Sequence, residues 1–457
     1  MNRRNFLKFT SLASAGMLGS NQLHALDPGI ANFPNHQPKI KRVIHLYMAG
    51  GLSQFESFDN KPLLKKMDGQ FMPESLTKGK QLAQLQGQKL KCFAPRFEFN
   101  KYGQSGLEIS DRFPHLGKLA DDMCIIRSMH TDQINHDPAH TVMNTGSILN
   151  GYPSMGAWVT YALGSPNKDL PGFVVLTSAG GGQAQPISSR QWNNGFLPGR
   201  YQGVQFNASG DAVHYITNPD GISTKQQGSL INRLNRMNKL LKNKYADPEI
   251  NTRMSQYDLA LRMQASVPTL TDMSNEPKHV IDMYGCKPGD GSFASNCLLA
   301  RRMAESGVRF IQLYHRGWDH HGNLENGFKT ASGLTDQGAA ALIQDLKQRG
   351  MLDETLIVFS GEFGRTPMSQ GGNGRDHHKD CFSMALFGGG IKGGMTYGKS
   401  DEFGYAPVEN PVHVRDFHAT MLHQLGIDHE RLSVKFQGLD IRLTGVHKAK
   451  VIKDILS

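Results

Sequence analysis

The chain has 457 residues, with 50 Lys and Arg against 40 Asp and Glu, a formal charge of +10, and 38 % hydrophobic residues. That apolar content at this length buries a sizeable core and excludes wholesale disorder, and the length suits one elaborated α/β domain or two to three average ones. Five scattered cysteines (Cys92, Cys124, Cys286, Cys297 and Cys381) with no C-x-x-C pair exclude a disulfide scaffold, a zinc ribbon and a thioredoxin-type centre.

In chain order, residues 1–25 come first. Arg3-Arg4-Asn5-Phe6-Leu7-Lys8 precedes a short, weakly apolar run that ends near Ala25, the pattern of a twin-arginine export signal. The run is too short to span a bilayer, and no later stretch reaches 18 apolar residues. Cleavage after Ala25 removes Arg3, Arg4 and Lys8 and lowers the charge from +10 to about +7. The remaining cations are spread along the chain without interleaved aromatics, so nucleic acid is not an expected partner, whereas an anionic substrate is. The expected location is the periplasm or the cell exterior. The twin-arginine route carries proteins that fold before crossing, often around a loaded cofactor.

Residues 26–40 read as a linker. From 41 to 457 the pattern is that of a single α/β domain. Strands are expected at Lys41 to Met48, Met123 to Arg127, Gly172 to Thr177, Val308 to Tyr314, Thr355 to Ser360 and Phe382 to Phe387. Helices are expected at Phe293 to Ser306, Gly333 to Arg349 and Val414 to Leu425, with Gly307, Gly350 and Gly426 as C-terminal stops. This alternation predicts an open, mostly parallel sheet flanked by helices. Two stretches interrupt it: a Lys-, Gln- and Gly-rich excursion from Lys61 to Asn100, and a helical cap over one sheet edge at about 180–291.

Ligands in such sheets bind beyond the carboxyl ends of the strands. Polar clusters stand there: His130 to Asp137, His315 to Gly322 with its Asp319-His320-His321, Gly361 to Pro367 with Glu362 and Arg365, and Gly374 to Asp380 with Asp376-His377-His378. Imidazole and carboxylate together suit a borderline divalent cation such as zinc. Gly393 to Ser400 fits the phosphate-loop expression G-x-x-x-x-G-K-S, but a turn-rich stretch follows where the mechanism needs a helix, so a nucleotide site is rejected.

On Met48-Ala49-Gly50-Gly51-Leu52-Ser53, Asn135-His136-Asp137, Gly317-Trp318-Asp319-His320-His321-Gly322, Gly361-Glu362-Phe363-Gly364-Arg365-Thr366-Pro367 and Gly374-Arg375-Asp376-His377-His378, the chain resembles the secreted bacterial family called domain of unknown function 1501. That family lies in the alkaline-phosphatase-like and sulfatase-like superfamily, and the resemblance runs from about Arg42 to Arg442. It implies an alkaline-phosphatase-like fold and a metal-dependent hydrolase of phosphate or sulfate esters. The implied metal ligands are Asp319, His321 or His320, and His378 or His377, with Glu362 as a further ligand or general base. A second ion would need an Asp where Ala49 stands and an Asp-His pair where Glu362-Phe363 stand; Glu362 could bind but Phe363 could not, so the second site is altered or lost unless Glu56 or Asp59 substitutes. His136 falls where the superfamily places its hydroxyl nucleophile and is expected as nucleophile, general base or another ligand, with Thr131 and Ser53 as nearby hydroxyls. Arg365 joins His136 and Glu362 at the reacting centre, while Arg127, Arg375 and Asn135 are expected around an anionic small-molecule or polysaccharide substrate. The rival reading is a secreted binding or surface-assembly protein that kept the fold and lost turnover. The sequence leaves the number of ions and the oligomeric state open.

Overall fold

Arg42–Met48 (β1) is buried from Val43 onward on both faces, as an apolar run at the middle of a sheet must be. The computed structural model describes residues 29–457 except 183–184, 208–210, 215 and 246, so the expected export signal lies outside the described residues. In chain order the further strands are β2 (Met123–His130), β3 (Phe173–Thr177), β4 (Val204–Phe206), β5 (Phe310–His315), β6 (Thr355–Ser360), β7 (Gly364–Gln370), β8 (Gly374–His378), β9 (Phe382–Gly388), β10 (Met395–Tyr397) and β11 (Val412–His413). The principal helices are α1 (His136–Thr145), α2 (Met155–Leu163), α3 (Thr224–Tyr245), α4 (Pro248–Thr271), α5 (Phe293–Glu305), α6 (Leu324–Gln348) and α7 (Val414–Gln424).

Nine strands form the central sheet, in the order β10-β2-β9-β6-β1-β5-β3-β4, with β11 also beside β2. Val43 lies opposite Phe310 of β5 on one side and Leu356 of β6 on the other, both parallel. Only β9 runs against its neighbours, β2 and β6. The fold is the expected mostly parallel α/β sheet flanked by helices. Alternation along β1 divides the core. Ile44 and Leu46 join Leu298 of α5 and Leu342 of α6 on one face. Val43 and Tyr47 join Val142 of α1, Trp158 of α2 and Met421 of α7 on the other.

Three differences from the sequence reading have physical reasons. Helix α6 starts at Leu324, nine residues before the expected Gly333, because Asn323 in the left-handed region (φ 49°) turns the chain into it and Phe328 and Ala331 bury against the sheet. Residues 30–40 lie against the domain: Ile30 N donates to Ala162 O at 3.3 Å, Asn35 N to Gly426 O at 2.8 Å and Ile40 N to Gln424 O at 3.0 Å. Residues 180–291 contribute β4 to the sheet edge as well as α3 and α4. The stretch at Gly393 to Ser400 is extended: β10 and a two-residue strand at Lys399–Ser400, with no helix behind it.

Because β1, β2, β5 and β6 are mutually parallel and β9 is antiparallel, the chain leaves four strands and enters a fifth at one edge of the sheet. That edge carries Gly50, His136, Asp319, Glu362 and the residues ahead of Phe382. Leu313, fully buried at the centre of β5 and part of the core beneath α5 and α6, tests this frame: Leu313→Ala is expected to lower unfolding free energy by about 2–5 kcal/mol in urea titrations. A loss below about 1 kcal/mol would mean that β5 is not central to the core.

Candidate metal centre

The strand ends meet at Asp319. Its Oδ1 lies 2.5 Å from Arg365 Nη2, 2.9 Å from His321 Nε2, 3.2 Å from His136 Nε2 and 3.3 Å from His377 Nε2. His321 Nε2 and His377 Nε2 are 2.8 Å apart. Arg365 is fully buried, and its other N–H groups donate to Gly50 O, to Gly51 O at 3.0 Å and to Arg375 O at 3.1 Å. The turn after β1 must therefore be made of glycine. Gly50 sits at φ 124°, where a Cβ would lie 2.5 Å from Asp319 N, and at Gly51 (φ 77°) it would lie 2.7 Å from the Phe363 ring.

The second nitrogen of each imidazole fixes which proton it carries. His321 Nδ1 faces Gln370 Oε1 at 2.5 Å, His377 Nδ1 faces Ile134 O at 2.8 Å, and His136 Nδ1 faces Glu362 Oε1 at 2.6 Å. The orientation of Gln370 is set by its Nε2, which donates to Gln84 Oε1 at 2.8 Å. All three partners are acceptors, so each Nδ1 is the donor and each neutral ring presents an Nε2 lone pair toward the others and toward Asp319. Beyond its 3.2 Å approach to Asp319, His136 Nε2 is buried without a hydrogen-bond partner, and His321 Nε2 has only a long 3.5 Å approach from Gln84 Nε2 besides the cluster. Three lone pairs and a carboxylate oxygen at these distances repel unless a cation stands among them. Four donors around zinc at 2.0–2.1 Å are separated by about 3.3 Å, so these side chains fit that ion with small adjustment.

Burial pushes the Asp319 carboxyl up, but its close contacts with His136, His321 and His377 and the Arg365 charge outweigh it and hold the group far below the usual carboxylate range. Burial brings His377 down to about 4 against its bond to Asp319. Burial lowers His136 too, yet the Asp319 and Glu362 carboxylates win and leave it raised, so this ring holds a proton more readily than an ordinary imidazole. Glu362 is fully buried; burial raises it, but His140 and His136 draw it down to about 2.

Glu362 also accepts from Gly50 N at 3.0 Å, and its Oε2 lies 3.7 Å from His140 Nδ1, which meets Tyr47 OH at 2.8 Å. His136, His140 and Glu362 make a second group of donor atoms close enough to share an ion. Glu362 already engages His136 Nδ1 at 2.6 Å, so this group reads more naturally as the layer supporting the first centre.

Several expected site residues lie elsewhere. His378 points to the opposite side of β8 from His377, with its Nε2 2.6 Å from Tyr405 O, because neighbouring strand residues face opposite ways. His320 is packed under Gly327 and Phe328 and not beside Asp319. Arg375 is fully buried: it pairs with Glu56 at 2.8 Å, donates to the carbonyls of Phe93, Ala94 and Thr366, and stacks between Phe55 and Phe93. Arg127 donates to Phe58 O and Glu108 O. The Arg375 guanidinium is therefore withdrawn from the surface, while Arg127 is half-buried with two of its nitrogens on backbone carbonyls. Glu56 is spent on Arg375 and on Ser53, and Asp59 pairs with Lys61 at 3.0 Å and accepts from Ser400, so neither builds a second ion site. Thr131 Oγ1 is buried without a partner. Asn135 is exposed at the N-cap of α1. His140 was missed, although its place four residues after His136 on a helix puts both on one face. Gln370 and the Ile134 carbonyl carry no sequence signal.

Three imidazoles and a carboxylate gathered at the strand ends of an α/β sheet make a site that could hold a metal ion. The chain belongs to the family described as protein of unknown function DUF1501, which matches residues 40–456. No curated protein matches it. Among solved structures it is similar to a sulfatase from Pseudoalteromonas sp. (12 % identity over 92 % of this chain and 74 % of that one, TM-score 0.37). It is also similar to a phosphonate monoester hydrolase from Silicibacter pomeroyi (10 %, 91 % and 76 %, TM-score 0.34) and to a protein in the alkaline phosphatase superfamily from Vibrio parahaemolyticus (12 %, 94 % and 76 %, TM-score 0.32).

A depressed carboxyl stabilises the fold fully above its unfolded value of about 4, and that contribution is lost as pH falls below it, when only the unfolded state binds the proton. Metal-free protein should therefore lose stability from pH 5 downward, and Asp319→Asn should flatten the dependence in urea midpoints. Equal slopes in the two proteins would contradict the role given to Asp319.

Proposed function

We propose that the protein is a metal-dependent hydrolase of phosphate or sulfate esters, with one zinc ion held by His136, His321, His377 and Asp319. The observation that carries this is the convergence of three Nε2 lone pairs on one carboxylate oxygen, each ring oriented by an acceptor at its Nδ1. Such an ion supplies Lewis acidity toward an ester oxygen and acidifies a water. The chain's own residues do the rest. Arg365 positions Asp319 and offsets its charge, and Glu362 keeps His136 in the Nδ1–H form and strengthens it as a donor. His321 is the most exposed member of the cluster, at 22 % against 6 % for His377, so substrate is taken to approach from the His321 side. The α1 N-terminus opens at His136 on the same edge, where its free N–H groups favour an anion. An anionic small molecule or polysaccharide is the proposed substrate class.

We further propose that residues 1–25 direct twin-arginine export to the periplasm or beyond, and that about 180–291 form an insertion over one edge of a single domain. One observation favours the non-catalytic reading: Arg375 is buried and spent on Glu56 and backbone carbonyls, which leaves fewer cations for an anionic ester than expected.

Purified protein should hold one zinc per chain by elemental analysis, lose it in His377→Ala and keep it in His378→Ala, and hydrolyse members of an aryl phosphate and aryl sulfate panel. Metal that binds without any turnover would support the binding protein, and a metal-free chain would refute the centre itself. Gln370→Leu removes the acceptor that orients His321 and should weaken zinc affinity by about 10–100-fold in a chelator competition. Affinity should also fall as pH drops, because zinc must displace the proton that His136 binds readily. An affinity unaffected by Gln370→Leu would argue that His321 is not a ligand.

A further inference from the structure

Helix α3 is a 22-residue segment with one buried side chain among its described residues, Ile231. It contains Lys225, Arg233, Arg236, Lys239, Lys242 and Lys244 and no Asp or Glu. Its inner face packs on α4, where Asn235 Nδ2 donates to Asp258 Oδ1 at 2.8 Å and Gln227 meets Gln264 at 3.0 Å. Beside that face Leu230, Met237 and Leu241 follow one another at i, i+7 and i+11, which places them in a single stripe along the helix. All three are exposed, as are Leu240 (72 %) and Tyr245 (63 %), with Tyr257 of α4 on the neighbouring helix. A surface helix of a monomer in water has no reason to present this stripe.

From this combination we propose that the α3–α4 hairpin docks on an anionic lipid bilayer, with Leu230, Met237, Leu241 and Tyr245 entering the headgroup boundary and the six cations of α3 meeting lipid phosphates. Exposed apolar residues along one line and uncompensated positive charge around them are what an interfacial helix requires. A second copy of the chain fits less well, since pairing α3 with itself sets six cations against six. A soluble polyanion would use the cations and leave the apolar stripe idle. Among the described residues no helix is long and apolar enough to cross a membrane, so the hairpin lies on the surface. This inference does not depend on the hydrolase reading.

Sedimentation of the full chain with phosphatidylglycerol–phosphatidylcholine vesicles tests it. All variants share the same N-terminal residues, so differences report on the hairpin. The wild type should partition onto these vesicles at least tenfold more than onto pure phosphatidylcholine, and 0.5 M salt should release it. Met237→Ser with Leu241→Ser, and separately Lys239→Glu with Lys242→Glu, should each reduce partitioning about tenfold while circular-dichroism melting stays unchanged. Equal binding to neutral vesicles, or variants that bind like the wild type, would overturn the proposal. So would loss in the charge variant alone, which indicates a polyanion surface, or a wild-type dimer by light scattering that the serine variant dissociates.

Discussion

Much of the candidate site at the strand ends is organised by the ion pair between Arg365 and Asp319. Arg365 is fully buried, so each nitrogen of its guanidinium has to find an acceptor, and they find them on Gly50, Gly51, Arg375 and Asp319. That one requirement ties the turn after β1, the β7–β8 pair and the loop after β5 to a single point. Breaking a buried pair on one side costs about 3–5 kcal/mol, which is of the order of a whole domain's stability margin. With Asp319 and Glu362 ionised and Arg365 charged, the centre carries one net negative charge whenever its imidazoles are neutral, and the same excess raises the proton affinity of His136. A cation is the complement that such a site calls for.

The excursion between Lys61 and Asn100 is part of this arrangement. Asp376 Oδ2 accepts from the backbone N–H groups of Gln84 and Leu85 at 2.7 and 3.0 Å, Gln84 accepts from Gln370, and Gln370 orients His321. A surface loop is thereby connected to a proposed ligand through three side chains. Behind the centre, Tyr47, His140 and Glu362 make a second polar chain that reaches His136 from within the sheet. The ring orientations are thus set from two sides, by the loop above and by β1 below.

The strands were legible because each is a short run of apolar or β-branched residues closed by glycine or polar residues, and Thr355–Ser360 has the expected bounds at both ends. The start of α6 was not, since Gly327 and Gly333 inside it blur a helical pattern that tertiary packing completes. The histidine clusters could be found, but not which member of each pair turns inward. That depends on the pleat of β8, whose register shifts between Arg375 and His377. The fate of Arg375 was hidden for a different reason: its partner Glu56 stands 319 positions away in sequence, and only the folded chain brings it alongside. A motif therefore reported which residues approach the strand ends, and burial decided which of them remain free.

The central claim is that three Nε2 lone pairs and Asp319 enclose one cation. Anomalous diffraction at the zinc absorption edge, from crystals of protein purified without chelator, tests it most directly. The account predicts one peak bonded at about 2.0–2.2 Å to Nε2 of His136, His321 and His377 and to an Asp319 oxygen, with each Nδ1 still facing Glu362, Gln370 or Ile134. A fully occupied zinc bound through His320 or His378, or a zinc-supplemented crystal with no peak among these four side chains, would contradict it.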